Sequence, residues 1–268
     1  MSDYPSCRLD HILIQNGLGS PRSVRTLLRN HTVLVNGVRE MNGGVLVFAQ
    51  KDRVLIDGKE IELKNDVYLM LNKPSNTVCT NLRGSHQTVF ELIDPKYKNI
   101  SGLGKLHSVG RLDLDTEGFV LLTTNGGFSH KLTSPESHVK KTYLAYLRDA
   151  VSEENRARYK EKFALGIEIL PEKKAKAAIT APAALEWLSE DEAIEENPSS
   201  NGEDYLFTAC RLSITEGKFH QVKRMFSALG NEVVYLKRIA IADVFLDKKL
   251  KPAEYRELTK EELLLLMR

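Results

Sequence analysis

Short apolar runs that stop at proline or glycine constrain the fold of this chain more than any other feature. The run "VYLMLNKP" (residues 67–74) has the β-favouring composition of a strand and ends at a proline, which cannot donate to a strand ladder. Further short apolar runs follow, and helical stretches such as "SEENRARYKEKFALG" (residues 152–166) separate them. Because no βα unit repeats, the pattern favours an α+β fold over a doubly wound parallel sheet.

A small unit precedes these strands. It begins with a helical pattern, and "GSPRSVRTLLRN" then starts a second helix with Ser20 as its N-cap and Pro21 at its first position. "TVLVNGVRE" predicts a hairpin whose turn is Asn36-Gly37. The following "ELKND" (residues 62–66) has the composition of a linker.

Three arginines mark the second helix of this unit. Arg22, Arg25 and Arg29 fall at i, i+3 and i+7, and they share the face opposite the apolar one. A helix pair that leads into a small hairpin sheet is typical of a compact RNA-binding module. The alternative is that these arginines only confer solubility, and the helix alone does not decide between the two.

The charge distribution is more informative than the formal net charge of +2. Residues 186–204 hold eight acids and no bases, and we interpret this acidic segment as a solvated surface loop. The rest of the chain is moderately basic, as expected of a protein that binds the phosphate groups of a partner.

Cysteine usage and hydropathy indicate the compartment. Cys7, Cys79 and Cys210 are widely spaced and form no CxxC pair, which favours a reducing environment. No apolar stretch approaches the roughly 18 residues that a membrane span requires. The histidines are scattered, without HExxH spacing. We therefore expect a cytoplasmic protein with no membrane association and no metal site.

Three ordered segments carry the residues that could perform chemistry. The first is "GRLDLDTEG" (residues 110–118), and the second is the strand-like "KKTYLAYL" (residues 140–147). The third is "EGKFHQVKRMFSALGNEVVYLKR" (residues 216–238), in which a turn at Gly217 leads into a helix with a basic start. Such a start could face phosphate.

The acids of the first segment allow two other interpretations. Asp113, Asp115, Glu117 and Gly118 match the start of an EF-hand calcium loop. The twelfth loop position is Thr124, however, and "FVLLTT" is β-favouring and closed by the turn "NGG", where an EF-hand needs a helix. A two-carboxylate glycosidase would use Asp113 and Asp115, roughly 7 Å apart along an extended segment. It would explain neither the arginine-rich unit nor the third segment.

Taken together, "GRLDLDTEG", "KTY" and "GKFHQVKRM" resemble the signature motifs of the RsuA/Rlu-type pseudouridine synthases. The opening unit resembles the S4 RNA-binding domain that this family often carries. The resemblance covers nearly the whole chain and implies an α+β protein. A small S4-type α-L RNA-binding domain (residues 7–62) would precede a mixed-sheet catalytic domain (residues 67–268). "LNKP", "LHSVGRLD" and "FSHKLTSP" are similar to the RsuA branch, which acts on small-subunit rRNA.

The resemblance implies roles for the residues that match its motifs. Asp113 would be the catalytic aspartate, and Arg111 would help to rearrange or replace the flipped base. Tyr143 would stack on the target uracil, and Lys223 would pair with the catalytic aspartate.

Further positions are expected to bind RNA or depart from the family pattern. We expect His220 and Arg224 to bind RNA together with the three arginines of the first unit. Asn76 stands where the family usually has glycine, although asparagine tolerates the same left-handed backbone. Glu117 replaces the usual small hydroxyl residue.

The implied reaction is the isomerisation of uridine to pseudouridine in ribosomal RNA. No redox change or group transfer occurs, so we expect no cofactor. The expected partner is 16S rRNA in an assembling small subunit, and we expect a monomer. Two alternatives stay open. One is a 23S rRNA synthase of the same family, and the other is a non-catalytic S4-type ribosome-assembly protein, which would not need Asp113, Tyr143 and Lys223 together.

Overall fold

The structure is a computed structural model that describes residues 7–48, 51–61, 63, 66–82, 84–98, 105–173, 175–195 and 208–267. Its first elements form a small group of two helices and six short strands. They are β1 (Cys7–Arg8), α1 (Leu9–Gln15), α2 (Pro21–Asn30), β2 (Val33–Val35), β3 (Val38–Arg39), β4 (Leu46–Val47), β5 (Val54–Ile56) and β6 (Lys59–Ile61).

Local sequence signals explain this group. The Ser20 side chain accepts a hydrogen bond from the Ser23 amide and Pro21 is the first helical residue, which confirms the predicted start of α2. Asn36 and Gly37 have φ angles of 51° and 84° and connect β2 to β3, as the hairpin prediction requires. The apolar faces of α1 and α2 pack with β2 and β5 in one core.

The second group of elements builds a large sheet with helices around it. The strands of the whole second group are β7 (Tyr68–Lys73), β8 (Thr77–Val78), β9 (Gln87–Thr88), β10 (His107–Ser108), β11 (Glu117–Thr123), β12 (Lys141–Leu147), β13 (Glu168–Ile169), β14 (Ala178–Ile179), β15 (Ala184–Trp187), β16 (Thr208–Ile214), β17 (Val233–Ile241), β18 (Val244–Phe245) and β19 (Tyr255–Glu257). The pairs β8/β9 and β13/β14 are separate from the large sheet. Its helices are α3 (Pro95–Lys98), α4 (Gly126–Thr133), α5 (Glu153–Leu165), α6 (Glu190–Glu195), α7 (Gln221–Ser227) and α8 (Lys260–Met267), with a 3-10 turn at Pro135–Ser137.

The main sheet has nine strands in the order β15-β16-β12-β17-β11-β7-β19, with β10 paired to β11 and β18 paired to β17. The pair β11/β17 is parallel, whereas the other pairs of this sheet are antiparallel. The sheet is therefore mixed, and the predicted α+β class is confirmed.

Both faces of the central strands are buried. Val120 and Leu122 of β11 contribute to the core that includes α5 and α7, whereas Phe119 and Leu121 contribute to the core that includes α4 and α8. Burial on both faces explains why β7 and β11 read as continuous apolar runs rather than as alternating ones. The C-terminal helix α8 packs into the second of these cores through the buried Leu263 and Leu266.

Two local predictions were wrong. "NGG" does not close a turn, because Asn125 is the N-cap of α4 and its side chain accepts a hydrogen bond from the Phe128 amide at 2.8 Å. The acidic segment is not a loop up to residue 195, since the end of β15 and the whole of α6 lie within it. Residues 196–204 of that segment, and residues 62, 64 and 65 of the predicted linker, lie outside the described part of the chain.

Within the described part, no helix combines the length and the apolar character that crossing a membrane requires.

Candidate active site

The three sequence segments meet at one cleft beside the parallel strand pair. Arg111 and Asp113 line it from the turn before β11, Tyr143 lines it from β12, and Lys218 and His220 line it from the turn before α7. The cleft encloses about 430 Å³, including space open to solvent. The structure therefore brings together residues that are more than a hundred positions apart in the sequence.

Gly118 allows β11 to approach β17 at this place. It has a φ angle of 96° and lies opposite Arg238 in the parallel register. A Cβ atom at position 118 would lie 2.3 Å from the Arg238 carbonyl oxygen. The glycine that matched the sixth position of a calcium loop is thus required by strand packing. The residues after it form β11, not the second helix of an EF-hand.

A β-turn over residues 113–116 separates the two acids. The Thr116 amide donates to the Asp113 carbonyl oxygen at 3.2 Å, which places Asp115 at the tip of the turn. The Asp113 side chain is 31% exposed and points into the cleft, whereas the Asp115 side chain is 63% exposed and lines a neighbouring groove. The two carboxylates therefore do not face one pocket, as the glycosidase interpretation requires.

Lys73 holds this turn through hydrogen bonds to its backbone carbonyl oxygens. Its side chain is fully buried at the end of β7, and Nζ donates to the carbonyl oxygens of Pro74, Leu114 and Thr116 at 3.0, 3.1 and 2.8 Å. Burial lowers the pKa of Lys73 from its ordinary value. Three carbonyl acceptors compensate for the loss of water around the ammonium group. The sequence analysis assigned no role to Lys73, because "LNKP" indicated the end of a strand and a similarity to the RsuA branch but no partner for this lysine.

His220 is a basic side chain close to Asp113. Its Nε2 lies 3.7 Å from Asp113 Oδ1, and its Nδ1 lies 2.8 Å from Glu172 Oε1. The residue has a φ angle of 46°, a left-handed conformation that a non-glycine residue adopts at a cost. The sequence predicts His220 only as an RNA-binding residue, whereas in the structure it lines the cleft.

The predicted pairing of Lys223 with Asp113 is wrong for this structure. Lys223 Nζ donates to Asp115 Oδ2 instead. Partial burial raises the pKa of Asp115, but the hydrogen bond and the charge of Lys223 outweigh this effect and hold it below its usual value. The physical reason is the turn, which directs Asp115 toward α7 and Asp113 into the cleft. Motif spacing cannot distinguish two acids that are only two residues apart.

Arg224 does not belong to an RNA-binding surface. Only 6% of it is exposed, and its guanidinium donates to the carbonyl oxygens of Leu170, Lys176 and Phe219. One residue along a helix corresponds to a rotation of about 100°, so Arg224 points into the protein whereas Lys223 does not. Its function is to hold the segments around the cleft together.

The remaining predicted positions are found in the expected environments. Arg22, Arg25 and Arg29 are exposed on α2, opposite the buried Val24 and Leu28. This geometry is compatible with phosphate binding.

The two departures from the family pattern are accommodated. Asn76 has a φ angle of 59°, which confirms the expected left-handed backbone. Glu117 accepts a hydrogen bond from the Tyr235 hydroxyl at 3.0 Å.

Comparisons with known proteins agree on one family. The family model "RNA pseudouridylate synthase" matches residues 67–228. "Ribosomal small subunit pseudouridine synthase A" of Vibrio parahaemolyticus is 41% identical over 257 residues, which are 95% of this chain and 97% of the relative. The protein of the same name from Haemophilus influenzae is 41% identical over 258 residues, covering 96% and 97%. A solved structure, "Crystal structure of pseudouridylate synthase", is 37% identical with a TM-score of 0.60 and covers 97% of this chain and 100% of that chain.

We expect Lys73→Met to loosen the turn that carries Asp113. Three carbonyl oxygens lose their shared donor, and the loss should lower the free energy of unfolding by about 1–3 kcal/mol. Urea unfolding measures this difference, and hydrogen exchange at the Thr116 amide should become faster.

Lys160→Met is the matched control, because Lys160 is exposed on α5. An Lys73→Met variant with the urea midpoint and the Thr116 exchange rate of the unaltered protein would show that the turn does not depend on this lysine.

Proposed function

Since this chain belongs to the RNA pseudouridylate synthase family, we propose that it isomerises one uridine of 16S ribosomal RNA to pseudouridine. One observation carries the proposal: Asp113, Arg111 and Tyr143 line the same cleft. The small-subunit target is supported by the two relatives named ribosomal small subunit pseudouridine synthase A, which align over nearly their full length.

The chemistry requires one acid that acts at the sugar. The bond between N1 and C1′ breaks, the uracil turns, and a bond between C5 and C1′ forms. The proton of C5 is then lost and N1 gains one, so atoms and electrons balance without an external reagent. The Asp113 carboxylate acts at the sugar as nucleophile or electrostatic partner, and it then accepts the proton from C5.

Tyr143 binds the flipped base, and Arg111 occupies the space that the base leaves in the RNA. A uridine inside a base stack cannot reach Asp113, so it must be extruded into the cleft. Tyr143 on β12 is 9% exposed and lines the cleft, so its ring offers an aromatic face that retains the uracil while it is detached from the sugar. Arg111 is exposed at the cleft, where its guanidinium can fill the space that the base leaves in the RNA.

Lys223 contributes through Asp115. Its ammonium group neutralises a carboxylate that lies only two residues from Asp113. Without this ion pair, the charges of the two carboxylates in one short turn would repel each other more strongly. Lys223 is thus a positioning residue in this proposal, and its ion pair holds the tip of the turn against α7.

The first group of elements supplies affinity for RNA. We propose that residues 7–62 form an S4-type RNA-binding domain and residues 67–268 the catalytic domain. Arg22, Arg25 and Arg29 present their charges together on α2, as phosphate contacts require.

We expect Asp113→Asn to abolish product formation while the variant still folds and binds RNA. The amide can neither attack the sugar nor accept a proton, and the loss should exceed roughly a hundredfold. Tritium release from RNA that contains 5-tritiated uridine measures the reaction.

Asp115→Asn is the control, because it removes a carboxylate of the same turn but leaves Asp113 in the cleft. It should retain readily detectable turnover. Normal tritium release by Asp113→Asn would remove Asp113 from the mechanism.

We expect the enzyme to modify one uridine in 16S RNA and none in 23S RNA. Because one stacked uracil carries little sequence information, the surrounding RNA shape must supply specificity. Purified enzyme should be offered 16S and 23S transcripts, each with and without early ribosomal proteins, and the pseudouridines mapped chemically. Modification confined to 23S RNA would overturn the target but not the reaction.

We expect alanine at positions 22, 25 and 29 together to weaken RNA binding. The slope of log affinity against log salt should become shallower by roughly 0.7 to 0.9 for each lost phosphate contact. The single-turnover rate at saturating RNA should change little.

A matched control removes three bases from the exposed face of α5, namely Arg158, Lys160 and Lys162. An equal loss of affinity in this control would indicate a net-charge effect. A collapse of the rate with unchanged affinity would mean that the first group helps to assemble the active site.

A further inference from the structure

Phe219 is an exposed aromatic side chain at the edge of the cleft. It is 45% exposed, although a phenylalanine normally buries most of its surface. The residues on either side of it, Lys218 and His220, both line the cleft. Its ring stacks on the His220 ring with a centroid separation of 3.7 Å and an interplanar angle of 19°.

The surroundings hold this ring in place. The Phe219 carbonyl oxygen accepts a hydrogen bond from the buried Arg224 guanidinium at 3.0 Å. The His220 ring beneath it is oriented by Glu172, whose Oε1 lies 2.8 Å from Nδ1. An aromatic face that is already ordered loses little conformational entropy when a second ring stacks on it.

The location matches a need of the reaction. His220 Nε2 is 3.7 Å from Asp113 Oδ1, and the Phe219 ring stacks on the His220 ring. The His220 ring therefore links Phe219 to the proposed catalytic carboxylate. Extrusion of the target uridine leaves each neighbouring base without one stacking partner. Exposed aromatic rings are the usual platforms for unstacked bases in single-stranded RNA.

We propose that Phe219 is a stacking platform for a nucleobase that flanks the target uridine. The occupant is a base of unpaired RNA, and His220 supports the ring from its other side. This subsite is separate from Tyr143, which holds the uracil itself. The proposal rests on the proposed function only in that the enzyme acts on an extruded uridine.

The test uses an RNA whose register is set by its only uracil. The probe is a fluorescein-labelled nonaribonucleotide of cytidines with one central uridine. Further probes carry an abasic nucleotide immediately 5′ or 3′ of that uridine. The probe contains no ribosomal sequence, so failure of the small-subunit target and failure of this subsite are distinguishable.

We expect Phe219→Ala to weaken binding of the intact probe by roughly 5- to 150-fold, which corresponds to the loss of one base–aromatic stack. Phe219→Tyr and Phe219→Trp should bind nearly as well as the unaltered enzyme. An abasic nucleotide on one side should weaken binding to the unaltered enzyme by a similar factor. On that probe Phe219→Ala should cause no further loss, because the two changes remove the same contact.

Two further variants make the outcome decisive. Phe219→Leu keeps an apolar side chain against His220 but has no aromatic face, so it should bind as weakly as Phe219→Ala. Phe245→Ala is the matched control, since Phe245 is 66% exposed on β18 and no described residue of β18 lines the cleft.

The proposal is overturned if Phe219→Leu binds like the unaltered enzyme, which would indicate a simple apolar contact. It is also overturned if the losses from Phe219→Ala and from both abasic probes are additive, or if Phe245→Ala weakens binding equally.

Discussion

The buried ammonium group of Lys73 is the interaction on which the active site depends. It joins the end of β7 to the carbonyl oxygens of the turn that follows Asp113. A charged group without water must be fully hydrogen-bonded, so the turn cannot move away without leaving that charge uncompensated. Gly118 adds the second constraint, because only a residue without Cβ permits β11 to lie this close to β17. Together they fix the turn that carries Asp113 without any contact to RNA, and under the proposed function this is the preorganisation that catalysis requires.

The same turn gives two similar acids different environments. Asp113 points into a cleft with an aromatic wall, whereas Asp115 lies at the tip and binds Lys223. The Asp115 charge is therefore paired with Lys223, and under the proposed function the Asp113 carboxylate is the one that acts at the sugar. The Arg224 guanidinium donates hydrogen bonds to the carbonyl oxygens of Leu170 and Lys176. It also donates to the carbonyl oxygen of Phe219, so it joins these segments to the turn before α7. Buried charged side chains that bind backbone carbonyls therefore support the cleft, in addition to the residues that line it.

Local chemistry decides how much of this could be predicted from the sequence. The N-cap at Ser20, the turn at Asn36-Gly37 and the buried strand β7 were predicted correctly, because each depends on adjacent residues. The prediction of a turn at Asn125 was wrong, because asparagine is favoured both in turns and at helix N-caps. Only the packing of the residues that follow decides between the two. The partners of Lys223, Arg224 and Lys73 could not be predicted, because they depend on tertiary contacts between distant segments. The resemblance to a family identified the cleft residues, but it did not determine which acid each basic side chain binds.

The most direct measurement is a crystal structure of the Asp113→Asn variant bound to an RNA that contains the target uridine. The account predicts an extruded uridine with its uracil stacked on Tyr143 and its C1′ within about 3.5 Å of the side chain at position 113. The bonds from Lys73 to the turn should be unchanged. A uridine that stays stacked within the RNA, or one whose sugar lies against Asp115 instead, would contradict the central claim that the anchored turn presents Asp113 to the substrate.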